Sequence, residues 1–452
     1  MAWNVLILGG GFGGLTAARR LERKLPAHSA KVTLVNDVNF MLYTPLLPGA
    51  AGGTLEPRHV VVPLREQLRH TDLHLGHVLC AEPDRRVVQV RSIGGREEEL
   101  AYDQLIVALG STSRTLPIPG LAEHAMGFKT LSEAIALRNR LVFMLEQAET
   151  EDDGAARRAL LTFVFVGAGY AGLEGLAELQ DFAADVVERY PRARLEGMRF
   201  ILVEAKDRVM TEISPHLAAF ATAELRRRGI DVQLSTQIRR VTAESVELST
   251  GEVVPTRTVA WTAGVKPHPV VAKLGLPLDG GGRIAADRYT AVPEWTGVWA
   301  IGDAAAVPDP ANKGKPSPPT AQHVLRQAKV AADNALHALS GEPERRRPFR
   351  YRTLGVFVDM GRHQAVASTL GIKWRGFPAW FLARSYHLAL MPGNRRRARL
   401  MADWTIGLLF GRDSAELGQL GHPPGLEPGE QTEATAGSVD GAEQASSLSA
   451  SG

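Results

Sequence analysis

Two glycine series of the same kind carry the chemistry that is easiest to read in this chain. The first is Gly9-x-Gly11-x-x-Gly14, directly after the apolar run Val5-Leu6-Ile7-Leu8. The second is Gly167-x-Gly169-x-x-Gly172, after Leu160-Leu161-Thr162-Phe163-Val164-Phe165-Val166. A buried strand, a glycine turn and a helix N-terminus together make a diphosphate cradle. The first glycine allows the tight turn, the second lets a pyrophosphate approach the backbone, and the third lets helix and strand pack closely. Two such cradles in one chain suit two dinucleotides held face to face, as flavin-mediated hydride transfer requires.

The two cradles are not equivalent. An acid about 20 residues past the glycines ordinarily accepts the ribose hydroxyls. In the second unit the strand Phe200-Ile201-Leu202-Val203 ends at Glu204, whose charge favours NADH and repels a 2′-phosphate. In the first unit Val32-Thr33-Leu34-Val35 ends at Asn36-Asp37, so an amide stands where the acid is expected. Gly302-Asp303, after Val298-Trp299-Ala300-Ile301, and the Ala108-Leu109-Gly110-Ser111 strand end mark this first unit as the FAD site. Phe12, Gly13 and Val78 complete the expected flavin-binding set.

These residues need strands and helices to position them. The pattern predicts strand 4–8, helix 13–24, strand 31–35, a helix over about 62–70, strand 102–110, helix 132–149, and a second nucleotide unit from 160 to about 287. The fold class is α/β, with two Rossmann-like dinucleotide-binding domains and a C-terminal amphipathic helical segment that anchors to a membrane. The expected boundaries are 1–118 and 288–345 for the two parts of the FAD domain and 119–287 for the NADH domain. Residues 346–420 form the membrane-associating region, and 421–452 a disordered acidic tail.

Composition removes several alternatives. Cys80 is the single cysteine, so disulfide frameworks, dithiol redox centres and cysteine-rich metal sites are excluded. The 13 histidines show no ligand spacing, so no metal is expected, and a formal charge of +3 does not imply nucleic acid. No basic segment followed by an apolar one precedes the first strand, so no secretory signal is expected. No apolar stretch is long enough to span a bilayer. Residues 373–412 are distinctive: eight cations face one acid, Asp403, among Trp374, Trp380, Trp404 and many aliphatic and phenyl groups. Apolar bodies with Trp and Arg at the boundary suit a helix pair lying in an anionic membrane interface. An amphipathic helix docked on the protein's own core or in a dimer interface is the alternative.

The ordered segments GGGFGG, PLLPGAAGG, DQLIVALGS, VFVGAGYAGLEGLAEL, FILVEA, VAWTAGVKP, WAIGDAA, PPTAQHVLRQ and VDMGRHQAVA resemble the type II NADH dehydrogenases, from about residue 4 to 415. The resemblance implies a single-chain NADH:quinone oxidoreductase that does not pump protons, peripheral on the cytoplasmic face of the cell membrane, with a quinone, a membrane surface and a second copy of the chain as partners. It implies that Gly9, Gly11, Gly14, Gly110 and Asp303 hold FAD, and that Gly167, Gly169, Gly172, Glu204 and Gly264 hold NADH. It gives catalytic roles to Glu174, near flavin and nicotinamide, and to Gln322, beside the quinone pocket. The family's second glutamine falls at Arg326, with Gln327 one step later. A reductase of a soluble acceptor such as a ferredoxin, and a flavin redox sensor with little turnover, are the competing readings.

Overall fold

The computed structural model describes residues 3–26, 29–353 and 355–416; the expected acidic tail lies outside them. Two sheets hold the cradles. The larger has seven strands, in the order Val298–Ala300, Gln104–Val107, Trp3–Leu8, Ala30–Asn36, Asp72–Glu82, Val87–Ser92 and Glu97–Ala101. The first five are parallel and the last two antiparallel. The smaller sheet is parallel throughout: Ala125–Gly127, Thr258–Trp261, Thr162–Val166, Arg199–Val203 and Asp231–Gln233.

Central strands in both sheets are continuous apolar runs because both faces are covered. Ile7, Leu34 and Ile106 pack on one side of the larger sheet, and Leu6, Leu8 and Leu105 on the other. In the smaller sheet Phe163 and Phe165 face the main helical core, while Val164 and Val166 face the opposite side. Burying each of these phenyl groups contributes ~1.5–3 kcal/mol.

In both sheets the strand before the glycines has its sequence neighbour on one side and a later strand on the other. The carboxyl ends of Trp3–Leu8 and Thr162–Val166 are therefore topological switch points, where open α/β sheets bind ligands. The first cradle helix, Phe12–Lys24, packs along helix Ala321–Leu339 through Ala17, Ala18, Ala328, Ala331 and Ala335. An Arg20–Asp333 ion pair of 2.8 Å closes that seam. Helix Leu131–Thr150 starts at a full capping box, Thr130 with Glu133, a device worth ~1 kcal/mol.

Three sequence expectations need correction. The helix over 62–70 is only the single turn Leu64–Gln67, because Val61–Pro63 is drawn into an antiparallel pair with Phe40–Leu42. Leu160 closes a short helix, Gly154–Leu160, that Asp153 caps, so the strand starts at Thr162. The C-terminal region is not helical throughout, although the helix pair read within 373–412 is present. It opens with a three-stranded antiparallel sheet, Gly355–Asp359, Ala365–Thr369 and Ile372–Gly376. The helices Phe377–Leu390 and Asn394–Leu409 follow it. Among the described residues no helix is long and apolar enough to cross a membrane.

Candidate functional site

The six cradle glycines divide into three structural roles, repeated in both units. Gly9 and Gly167 take φ of +98° and +100°, and a Cβ on either would strike the end of the neighbouring strand, at Ala108 and Ala263. Gly14 and Gly172 face back onto the turn, where a Cβ would come within 1.8 and 1.9 Å of the Gly9 and Gly167 carbonyl oxygens. Gly11 and Gly169 are different: each begins its helix, and a Cβ there meets nothing within 4 Å. Those two positions border open space at a helix N-terminus, as diphosphate docking requires.

Asn36 and Glu204 occupy matching places and perform matching structural tasks. Asn36 Oδ1 accepts the Gly10 N–H at 2.6 Å, and Glu204 Oε2 accepts the Ala168 N–H at 2.6 Å. The amide nitrogen of Asn36 donates to the Val38 carbonyl, and Glu204 Oε1 accepts from Lys206 N–H. An amide therefore replaces the acid in the first unit without loss of the turn. Asp37 is exposed beside it. Glu204→Gln keeps an acceptor for Ala168 while removing the charge. We expect the NADPH-to-NADH ratio of kcat/KM to rise about tenfold, ~1.4 kcal/mol, in initial-rate measurements; an unchanged ratio removes the Glu204 charge from cofactor discrimination.

At the first cradle, Gly13 packs against Val324, Ile301 and Ala108, which seats the cradle against the Gly302 turn. Gly302 has φ +71°, and its N–H donates to the buried Gln327 side chain at 2.8 Å. The Ser111 hydroxyl donates to Asp303 at 2.6 Å, and Lys129 donates to Ser111 at 3.1 Å while lying 3.9 Å from Asp303. Lys129 was not among the sequence-predicted residues. It follows the edge strand of the smaller sheet and brings a cation to the first cradle's acid. Gly110, at φ +69°, also borders open space. Phe12 packs edge-on against Tyr43, and Val78 pairs with Val90 beside a bulge in the long strand Asp72–Glu82. Gly264, at φ +94°, borders open space after Trp261, whose indole is core and donates to the Arg114 carbonyl.

The departures at 326 and 327 have a structural explanation. Gln327 supports Gly302 from below, and Arg326 stacks over the Tyr351 ring at 4.1 Å. Gln322 is held from both ends, donating to the Gly355 carbonyl at 3.0 Å and accepting from Tyr351. Glu174 lies in the first turns of the second cradle helix, Tyr170–Val186, and accepts the Asp359 N–H at 3.0 Å. Burial of its carboxyl pushes it up to about 8, against the pull of that hydrogen bond. It is therefore an acid at neutral pH. Cys80 is a lone free thiol on strand Asp72–Glu82. Among the described residues no group of histidine, cysteine or acids is arranged to hold a metal.

Two dinucleotide cradles at two switch points, an acid at the third strand end and no dithiol define a two-dinucleotide flavoprotein. The residues present fit FAD at the first cradle and NADH at the second. A model of the family described as pyridine nucleotide-disulphide oxidoreductase matches residues 3–335. The type II NADH:quinone oxidoreductase Ndh of Mycobacterium tuberculosis is 30% identical over 422 residues, covering 90% of this chain and 89% of its own. Demethylphylloquinone reductase NdbB of Synechocystis is 31% identical over 409 residues, covering 89% and 95%. NDH2 from Plasmodium falciparum, solved in complex with NADH, has the same fold: TM-score 0.85 at 18% identity, covering 92% of this chain and 100% of that one. The chain belongs to the pyridine nucleotide-disulphide oxidoreductases and, among them, to the type II NADH dehydrogenase family.

Proposed function

We propose that the protein oxidises NADH and reduces a membrane quinone without pumping protons. The observation that carries this reading is the pair of cradles with the same threefold division of glycine roles, in a chain with one cysteine. FAD, when bound, accepts a hydride from the nicotinamide and passes two electrons to the acceptor. The chain's own residues supply orientation and proton control. Gly9, Gly11, Gly14 and Gly110 shape the flavin cradle, with Asp303 fixed by Ser111 and Lys129; Gly167, Gly169, Gly172 and Glu204 shape the NADH cradle. Glu174 holds a proton near the reacting rings, and Gln322, clamped by Tyr351 and Gly355, borders the acceptor side. Residues 1–118 with 288–345 serve FAD and 119–287 serve NADH in this scheme. The purified protein should be yellow and reduce a soluble quinone analogue with NADH; a flavin-loaded protein inert towards every quinone overturns the proposal.

The C-terminal helices are the membrane-facing part of this reading, on the cytoplasmic face. Phe377, Phe381, Ile406, Leu408, Leu409 and Phe410 are all more than half exposed. The cations are not uniformly available to lipid. Arg396 and Arg397 bond main-chain carbonyls, and Arg384 is stacked between Trp380 and Trp404. Arg412 pairs with acids of the second cradle helix. The apolar edge is therefore the stronger contribution, at roughly 25 cal/mol per Å² buried. The double variant Leu409→Asp/Phe410→Asp should lose at least tenfold in binding to anionic liposomes by flotation, with flavin content intact. Equal binding would place the membrane contact elsewhere. A second copy of the chain is a further proposed partner, checked by sedimentation velocity.

A further inference from the structure

The second cradle helix carries acids at Glu174, Glu178, Asp181 and Asp185. Spacings of four, three and four put them on one helical face. An acidic stripe normally faces water, yet Glu178 and Asp181 are each only 3% exposed, and Asp185 alone is half exposed. The C-terminal part of the chain covers this face and leaves a cavity of about 370 Å³. Glu178, Asp181 and Asp185 line one side; Trp380, Arg384 and Arg412 line the other. Nothing in the cofactor sites described above uses it.

The charged groups around the stripe have distinct tasks. Both oxygens of Asp181 are committed, to the side chains of Arg228 and Arg362 and to the Arg362 N–H, so this acid is an anchor. Arg412 lies 3.5 Å from Glu178 and 3.3 Å from Asp185, joining the buried and exposed ends. Glu178 Oε2 accepts no hydrogen bond and Arg384 Nε donates none among the described residues. Asp359 reaches the same group from strand Gly355–Asp359, while Gly52, at the end of helix Leu47–Ala51, lies against Glu178 and brings no charge. Burial raises Glu178 as well as Glu174, so both exchange protons near neutral pH.

We propose that this stripe and its cavity are the proton-uptake route of the enzyme, running from Asp185 at the surface through Glu178 to Glu174. The proposal rests on the quinone-reductase reading. NADH delivers two electrons and one proton as hydride, whereas a quinone becomes a quinol with two electrons and two protons. One proton per turnover must therefore come from solvent. Along the route it binds a carboxylate oxygen of Asp185, crosses the cavity on water to Glu178, and passes on to Glu174 as Glu174 gives its own proton to the quinone. Each O–H bond forms as the one before it breaks, and no electron moves. The cavity has room for on the order of ten waters at ~30 Å³ each, and its walls supply the polar partners they need.

The test uses the full-length, FAD-loaded protein with lipid. Turnover is measured with a short-chain quinone and with ferricyanide, which accepts electrons without a proton, in water and in D₂O. Glu178→Gln should lose at least ten times more activity with quinone than with ferricyanide and show a larger solvent isotope effect. Glu178→Asp should recover part of the loss. Asp185→Asn, exposed and safe for folding, should shift in the same direction by a few-fold, with partial rescue by a small weak acid such as imidazolium. Equal losses with both acceptors, or wild-type isotope effects in both variants, would overturn the route. A wild-type protein that reduces ferricyanide and no quinone instead sinks the acceptor assignment.

Discussion

A Gly169→Val protein is expected to purify folded and yellow yet barely use NADH, whereas Gly11→Val is expected to purify folded and colourless. Both glycines have ordinary backbone angles, φ −77° and −72°, so a β-branched residue is sterically admissible there. A Cβ at either meets no protein atom within 4 Å. The added side chain obstructs only what approaches from outside, which is the diphosphate. A loss of at least ~100-fold in affinity, about 3 kcal/mol, should appear in the KM for NADH of Gly169→Val. For Gly11→Val it should appear as loss of the flavin absorbance relative to protein. The contrast lies within the same motifs: Gly14 and Gly172 have no room for any side chain, and substitution there should cost the fold itself. If both variants keep normal flavin and normal KM, neither cradle holds a dinucleotide.

Glu174→Gln should have the second large effect. Positioned general acids contribute ~10²–10⁴ in rate, so quinone reduction should fall by at least ~100-fold while hydride transfer from NADH is affected much less. The pH dependence fixes the sign. Glu174 is raised to about 8, so its acid form predominates at neutral pH and is lost as pH climbs past 8. Wild-type quinone turnover should decline across that range, and the variant should not show that limb. The same proton links to stability. Between the ordinary value of 4.5 and about 8 the folded chain holds a proton that the unfolded chain has released. Stability therefore falls as pH rises through this window. Glu174→Gln should flatten that slope in chemical-denaturation curves taken at pH 6 and 9. An unaltered pH–rate profile in the variant would remove Glu174 from proton delivery.

The cradles were legible in sequence because steric demands at Gly9, Gly14, Gly167 and Gly172 admit only glycine, so residue type alone reports geometry there. Gly302-Asp303 was legible for a similar reason, a positive φ at a strand end followed by an acid. Lys129 was not, since its partners Ser111 and Asp303 come from distant segments and no motif links them. The stripe on helix Tyr170–Val186 had a readable period, but period alone cannot say whether acids face water or protein. The covering residues 359–412 reverse the usual answer. In the C-terminal region, composition drew attention to Trp and Arg at an interface. The short strands Gly355–Asp359 and Ala365–Thr369, which seat helix Phe377–Leu390, offered too little alternation to be separated from their surroundings. At 62–70 a pairing with Phe40–Leu42 overrode a local helical pattern.

The strand order of the larger sheet also sets a schedule for biosynthesis. Every strand of the smaller sheet lies between Ala125 and Trp261, so a nascent chain can complete that sheet early. The larger sheet waits for Val298–Ala300, and its first cradle helix waits longer still, for the packing surface of Ala321–Leu339. At ~5–20 residues per second, the first-made segment stays without its final neighbours for many seconds after it leaves the ribosome. The glycine turn translated first thus gains its packing partners later than the second one does. A chain interrupted before residue 298 therefore holds every strand of the smaller sheet and a larger sheet that still lacks its Val298–Ala300 edge.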